Sequence, residues 1–389
     1  MIHLIVNPGA RGARSMDRWK KIEEQCLKNR DMQETPLPVC VHVTEKPDDA
    51  RRFAQDITSA RTPALVLDPS EARDMETVSG ATADAFTAKT PHTIFVFGGD
   101  GTLNEVIDGI ADLGNARLGY IPSGSGNDFA RSMHIPADPE KVLRSLLGAA
   151  KALAHTGIRQ TSEGESAAHI VAPPDGNASS GKAICGTGPN PVGIGNTSAA
   201  LASLDVWCAR FGDGRKRRFA ISCGFGFDAE VCYEVQRSPL KKWLNKLNLG
   251  KLCYLLLSIP LIFRRRLIRF EVEISDSFVS CPASLFFAVM NQPYEGGGFR
   301  FCPEAAPDDG TLDAILVSDI SRAGFFGLMP FALFGKHGFS RHVTFHRGRS
   351  YTIRCTPPCH CHTDGEPLGE VGYAEISLED EKLQLILPG

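Results

Sequence analysis

Ile94-Phe95-Val96-Phe97-Gly98-Gly99-Asp100-Gly101-Thr102-Leu103-Asn104-Glu105-Val106-Ile107 runs an uninterrupted apolar stretch into a glycine-rich turn and out into a mixed polar and apolar pattern. The apolar run predicts a strand buried on both faces, and the glycines predict a tight turn that opens a helix. Such a turn aims backbone N–H groups and the positive end of a helix at one point, which suits a phosphate. Glycine is required where a Cβ would hold the backbone away from the phosphate oxygens. Thr102 with Glu105 three residues later also spells a capping box, so ordinary turn chemistry competes with the phosphate reading. The lysine of a Walker A loop is absent, which excludes a P-loop.

Two further turns share this design. Leu118-Gly119-Tyr120-Ile121-Pro122 predicts a strand that enters Ser123-Gly124-Ser125-Gly126-Asn127-Asp128-Phe129-Ala130, and residues 2–6 predict a strand that ends at Asn7-Pro8-Gly9. Around them, short apolar runs at 39–43 and 64–67 alternate with helical patterns at 15–29 and after Pro47, where proline and the following acids suit a first helical turn. Alternating strands and helices predict a doubly wound parallel sheet over residues 1–150, with all three turns delivered to the edge where ligands bind in such folds.

Residues 155–200 have no aromatic side chain and are rich in Gly, Ser, Thr, Asn and Pro. They read as a flexible insertion. Beyond 204, strand patterns at 219–223, 268–274, 283–290, 312–317, 343–345, 351–355 and 374–378 predict a second, mainly antiparallel β-rich domain to residue 389, interrupted by a helical stretch at 240–263. The expected architecture is therefore α/β with a cleft between two domains.

The chain has 389 residues with 42% hydrophobic and 22% charged residues and a net charge of −3. That excludes wholesale disorder and argues against a nucleic-acid-coating protein. The twelve cysteines are scattered, and Met1-Ile2-His3-Leu4-Ile5-Val6 reads as a strand rather than a secretory signal. Free thiols in a cytoplasmic protein are the expectation. No stretch is long and apolar enough to span a bilayer.

The two central glycine-rich motifs, Gly98-Gly99-Asp100-Gly101-Thr102-Leu103-Asn104-Glu105 and Pro122-Ser123-Gly124-Ser125-Gly126-Asn127-Asp128-Phe129-Ala130, resemble those of the lipid kinases that include bacterial diacylglycerol kinases and sphingosine kinases. Asn7-Pro8, Gly226-Phe227-Asp228-Ala229, Gly296-Gly297-Gly298, Asp308-Asp309-Gly310 and Asp364-Gly365-Glu366 follow in the same order. Residues 155–200 depart from the pattern as an insertion, and Ser125 stands where threonine is common, keeping the hydroxyl.

The resemblance implies an ATP- and Mg²⁺-dependent kinase acting on a lipid hydroxyl, with ATP held by Asn7, Thr44, Gly98, Gly99, Asp100, Gly101, Thr102, Asn104 and Ser125. Phosphoryl transfer needs a cation on the phosphates and a group that accepts or orients the attacking hydroxyl's proton. Asp100 is placed for Mg²⁺, and one of Asp364 and Glu366 is the implied general base. The resemblance also implies a structural Mg²⁺ at Asp309 with the carbonyls of Ala306 and Thr311, and Asp228 and Glu230 are candidates for the lipid headgroup side.

A zinc reading of Cys355, Cys359, His360, Cys361 and His362 lacks the usual paired spacings. Gly186–Gly188 and Gly193–Gly195 lack a preceding strand and are not dinucleotide fingerprints. Residues 240–269 carry eight cations and no acid around an apolar core, as a peripheral anionic-membrane contact would. A soluble-acceptor enzyme such as NAD kinase shares the Gly-Gly-Asp-Gly-Thr turn; the Ser-Gly-Asn-Asp-Phe-Ala loop and the basic-apolar segment favour lipid. A non-catalytic lipid- or nucleotide-binding protein would have no need of the carboxylates. The sequence leaves the identity of the lipid and the oligomeric state open.

Overall fold

The computed structural model describes residues 1–10, 13–31, 37–59, 91–160, 192–194, 199–238, 252–275 and 277–389. The strand expected at 64–67, the lysines at 241–251, the glycines at 186–188 and most of the insertion lie outside them.

The N-terminal layers are β1 (Ile2–Val6), α1 (Ala13–Asp31), β2 (Val39–Val43), α2 (Asp49–Ser59), β3 (His92–Gly98), α3 (Asp100–Gly109), β4 (Ala116–Pro122), α4 (Asp128–Ser132) and α5 (Pro139–Gln160). Helix α2 begins two residues after Pro47, so the proline lies ahead of its first turn. After β5 (Val192–Gly193) and β6 (Ala200–Leu204) the chain enters β7 (Trp207–Phe211), β8 (Lys216–Phe219), β9 (Ser222–Gly226), α6 (Phe227–Arg237), α7 (Leu252–Arg264), β10 (Ile268–Ile274), β11 (Ser277–Met290) and β12 (Leu312–Ser318). Helix α8 (Arg322–Leu333) precedes β13 (Val343–Gly348), β14 (Ser350–Thr363), β15 (Glu366–Leu378) and β16 (Leu383–Leu387).

The first sheet has the order β2-β1-β3-β4-β16-β6-β5, parallel from β2 through β16. Its central strands are buried on both faces, and Phe95, Phe97 and Leu118 lie in a core that Trp19, Val106 and Leu146 close from the helices. The C-terminal strand β16 belongs here: it pairs in parallel with β4, and β6 joins it antiparallel. The chain thus leaves the first sheet and returns to it.

The second sheet is antiparallel, in the order β13-β12-β11-β10-β14-β15-β7-β8. Long strands β11 and β14 pair with β10 along one half and with β9 along the other. The strand expected at 219–223 is broken: β8 ends at Phe219, β9 starts at Ser222, and Ala220 and Ile221 turn between them. The interruption has a chemical cause, described below.

Candidate active site

Three turns meet at the C-terminal ends of β1, β3 and β4. Helix α3 starts at Asp100, directly behind Gly99, and Gly99 makes no side-chain capping bond. The expected capping box is therefore not formed, and the first N–H groups of α3 are left to other acceptors. Thr102 Oγ1 instead accepts from Asn7 Nδ2 at 2.9 Å, tying the first turn to the second, and Asn7 Oδ1 accepts from Gly9 N at 3.0 Å. The second and third turns touch backbone to backbone. A Cβ on Gly124 would stand 2.6 Å from the Cα of Gly99, so only glycine fits there.

Asp100 accepts from the backbone N–H of Asp128 at 3.0 Å and of Phe129 at 3.3 Å. Burial and then the neighbouring Asp128 carboxylate push its pKa up to about 7, with Asp364 adding to the rise. Asp128 is itself buried; Arg131 donates to one oxygen at 2.9 Å and the N–H of Gly297 to the other at 2.7 Å. That last bond folds Gly296-Gly297-Gly298 onto the loop after β4, with φ of 63°, 82° and 123° that glycine alone adopts freely.

Asp364 and Gly365 form the two-residue turn between β14 and β15, both at positive φ (49° and 78°), as an Asp-Gly hairpin turn requires. The Asp364 carboxylate is buried and receives four donors. Ile221 N at 2.8 Å and Ser222 N at 2.9 Å reach Oδ1, while Ala220 N at 3.0 Å and Asn104 Nδ2 at 2.9 Å reach Oδ2. These bonds explain the break between β8 and β9: three successive amides leave the ladder to hold one carboxylate. Burial raises the Asp364 pKa to about 6, against the pull of its donors. Asn104, expected around the nucleotide, thus links α3 to this turn.

Glu366 lies differently. It is half-buried, accepts from Gln236 Nε2 at 2.5 Å, and passes so close over Gly101 that a Cβ there would overlap its Oε1. Asn7, Gly99, Asp100, Gly101, Thr102, Ser125, Asp364 and Glu366 line one cavity. Gly98 lies just behind it, packed on Thr102. Thr44 stands at the end of β2, its N–H bonded to the Val6 carbonyl, but does not line the cavity.

Cys232, Glu295 and Gly296 are shared with an adjoining apolar cavity walled by Phe227, Val231, Phe286, Phe299, Phe301, Phe325 and Met329. Asp228 lies at its polar end, where His362 Nε2 is 3.2 Å from Asp228 and 3.0 Å from Glu295. Ser222 Oγ donates to the same Glu295 oxygen at 2.8 Å. His362 Nδ1 accepts the N–H of Gly365 at 3.2 Å, so the ring proton sits on Nε2 between the carboxylates. The same bond couples this cluster to the Asp364-Gly365 turn. Glu230 is not part of it: the nearby charges are His360, Glu234 and Arg266. Cys361 faces Cys223, while His360 stacks on Tyr233, so no zinc set assembles from that stretch.

Asp309 sits before β12, away from both cavities. One oxygen accepts from Thr311 N at 2.9 Å and Thr311 Oγ1 at 2.7 Å; the other has Arg347 at 4.0 Å. Asp128, Glu295 and His362 were not among the expected site residues. Asp128 was visible within the second motif and Glu295 directly before the glycine triplet, whereas His362 had only its place two residues before Asp364.

The diacylglycerol kinase catalytic domain matches residues 69–158, and the YegS C-terminal NAD kinase beta sandwich-like domain matches residues 221–387. The protein named "Putative lipid kinase YtlR" of Bacillus subtilis (strain 168) is 22% identical over 369 residues, covering 95% of this chain and 94% of that protein. A diacylglycerol kinase of the same strain is 25% identical over 274 residues, covering 70% of each. A solved structure from Bacillus anthracis (strain Sterne) superposes with a TM-score of 0.58 at 19% identity over 99% of this chain and 96% of that one, which shows the shared two-domain fold. The resemblance drawn from the glycine-rich motifs is borne out, and the chain carries the catalytic domain of a kinase that phosphorylates an alcohol group.

Proposed function

We propose that this member of the diacylglycerol kinase-like lipid kinases uses Mg²⁺ and ATP to phosphorylate a lipid hydroxyl, as of diacylglycerol or a sphingoid base. The observation that carries the reading is the continuity of two unlike cavities. One is lined by glycine turns and carboxylates, the other by phenylalanines, and they meet at Glu295 and Gly296. A phosphate donor fits the first and an acyl or alkyl chain the second, which presents the lipid hydroxyl between them.

Asp100 and Asp128 are hard oxygen donors held close together; burial and then the Asp128 charge raise the Asp100 pKa, and a divalent cation between them relieves that cost. These residues therefore fit Mg²⁺, which when bound neutralises charge on the β- and γ-phosphates. The turns at Asn7, Gly99 and Ser125 orient the phosphate chain through backbone N–H groups and hydroxyls. Glu366 is the general base in this account. Among the described residues only Gln236 donates to it, and it faces the cavity from above Gly101. Asp364, with four donors on its two oxygens, has little lone-pair capacity left for a proton; its role is to fix the turn that aims Glu366. Asp309 with the Ala306 and Thr311 carbonyls supplies oxygen donors for a structural Mg²⁺ outside the cleft.

Delivery of a bilayer lipid calls for a face that meets the membrane. Helices α7 and α8 turn Ser258, Phe325 and Met329 toward the apolar cavity and leave Leu256, Ile259, Phe263, Phe331 and Leu333 outside. Phe334 and Phe339 beyond α8 are 73% and 70% exposed, too much for core packing. Residues 320–363 contain no acid, and Arg322, Lys336 and Arg341 flank these rings. Together with Arg264, Arg266 and Arg269 they suit an anionic bilayer surface at the cavity mouth, as at the cytoplasmic leaflet. No described helix is long and apolar enough to cross a membrane.

Incubating the protein with terminally labelled ATP, Mg²⁺ and either diacylglycerol, a sphingoid base or NAD tests the assignment. Label in a lipid product is expected. Label in NAD alone overturns it in favour of a soluble acceptor, and no labelled product overturns the kinase reading.

A further inference from the structure

On the first sheet, about 13 Å along β1 from Asn7 at the ordinary strand rise, a second group of chemically active side chains gathers at the sheet edge. Parallel pairing sets His3 beside Cys40 and Ile5 beside His42. Since alternate residues share a face, His3, Cys40 and His42 all project from the same side of β1 and β2. Their ligand atoms lie within 4.8 Å of one another. His3 Nδ1 and His42 Nε2 are 3.2 Å apart. Two nitrogens bound to one tetrahedral zinc at ordinary Zn–N lengths stand roughly 3.3 Å apart, so the pair is already spaced as a metal edge.

We propose that His3, Cys40 and His42 form a binding site for a zinc-class divalent metal that fastens the edge strand β2 to β1. Imidazole and thiolate suit this class and not Mg²⁺, so the site is separate in chemistry from the carboxylate cleft. Coordination takes the lone pair of His3 Nδ1 and of His42 Nε2, with each ring's proton on its other nitrogen; the Cys40 thiol releases its proton to solvent. Phe53 of α2 packs on His42 with centroids 5.3 Å apart and restrains that ring. Cys40 is exposed, so a metal reaches the site without unfolding, and water is available for the fourth position. Among the described residues β2 is the outermost strand at its end of the sheet, held on one side by β1 alone, so a cross-link there stabilises a strand with a single neighbour.

Anaerobic titration of the reduced, chelator-treated protein with Co²⁺ tests the site. The expected result is saturation at one equivalent, with tetrahedral ligand-field bands and a thiolate-to-cobalt charge-transfer band that Zn²⁺ abolishes. Cys40→Ser, a change at an exposed position, removes the charge-transfer band, and His3→Ala removes saturation. Zn²⁺ raises the melting midpoint of the wild type but not of Cys40→Ser. A folded wild type with no saturable thiolate band, or a band that persists unchanged in Cys40→Ser, overturns the proposal. Neither result depends on kinase turnover, so the outcome is independent of the catalytic reading.

Discussion

Replacing Glu366 by glutamine and Asp364 by asparagine in separate proteins distinguishes the base from the residue that aims it. Glu366 is half-buried and, among the described residues, partnered by Gln236 alone, so the amide keeps the shape and costs folding little, within about 0.5 kcal/mol. Loss of a general base lowers kcat by roughly 10²–10⁴. Asp364→Asn behaves otherwise. Its least costly rotamer puts the new NH₂ in place of Oδ2, so the amide opposes the Ala220 N–H and Asn104 Nδ2 donor to donor. Each unmatched buried donor costs about 1–3 kcal/mol. Ala220 N keeps a 3.3 Å contact with Oδ1, so the loss falls at about 2–4 kcal/mol. Urea denaturation and steady-state turnover, measured on both proteins, read the two effects separately. Wild-type turnover in Glu366→Gln, or full stability in Asp364→Asn, refutes the division of roles.

Gly101→Ala places a Cβ into Glu366 Oε1, which moves the carboxylate aside; kcat falls on the order of 100-fold while the melting midpoint holds, and unchanged kcat would show that Glu366 acts from elsewhere. Without nucleotide or metal, stability falls as pH rises from about 4 to 7. Asp100 and Asp364 have folded-state pKa values near 7 and 6 against 3.8 unfolded, so the native state binds more protons across that window. Denaturation at a series of pH values checks this, and added Mg²⁺ should flatten the slope; a stability that rises over this range contradicts it. Phe334→Ser with Phe339→Ser should reduce co-sedimentation with phosphatidylglycerol vesicles and leave ATP binding unchanged, whereas undiminished sedimentation moves the membrane face elsewhere.

Much of this arrangement is local and could be read from the chain. An apolar run followed by glycine and a polar helix start marks each glycine-rich turn without reference to distant partners, and Asp364-Gly365 signals its own hairpin. What escaped depends on pairing at long range. β16 joins β4 across more than 250 residues, and nothing in Leu383-Gln384-Leu385-Ile386-Leu387 names its neighbour. The alternating pattern at 219–223 predicts one strand because the demand that breaks it, a buried carboxylate at 364, lies in another part of the sequence. The same holds for His362, whose partners Asp228 and Glu295 come from two other segments. The capping box at Thr102 failed for a related reason: Asn7, far off in sequence, claims that hydroxyl.

Calorimetric titration with Mg²⁺ and ATP bears most directly on the meeting of the three glycine turns. The account predicts one saturable binding event in the wild type and none in Gly124→Val, where the added side chain collides with the Cα of Gly99. A well-folded wild type that gives no heat of binding, or a Gly124→Val protein that binds as the wild type does, contradicts it.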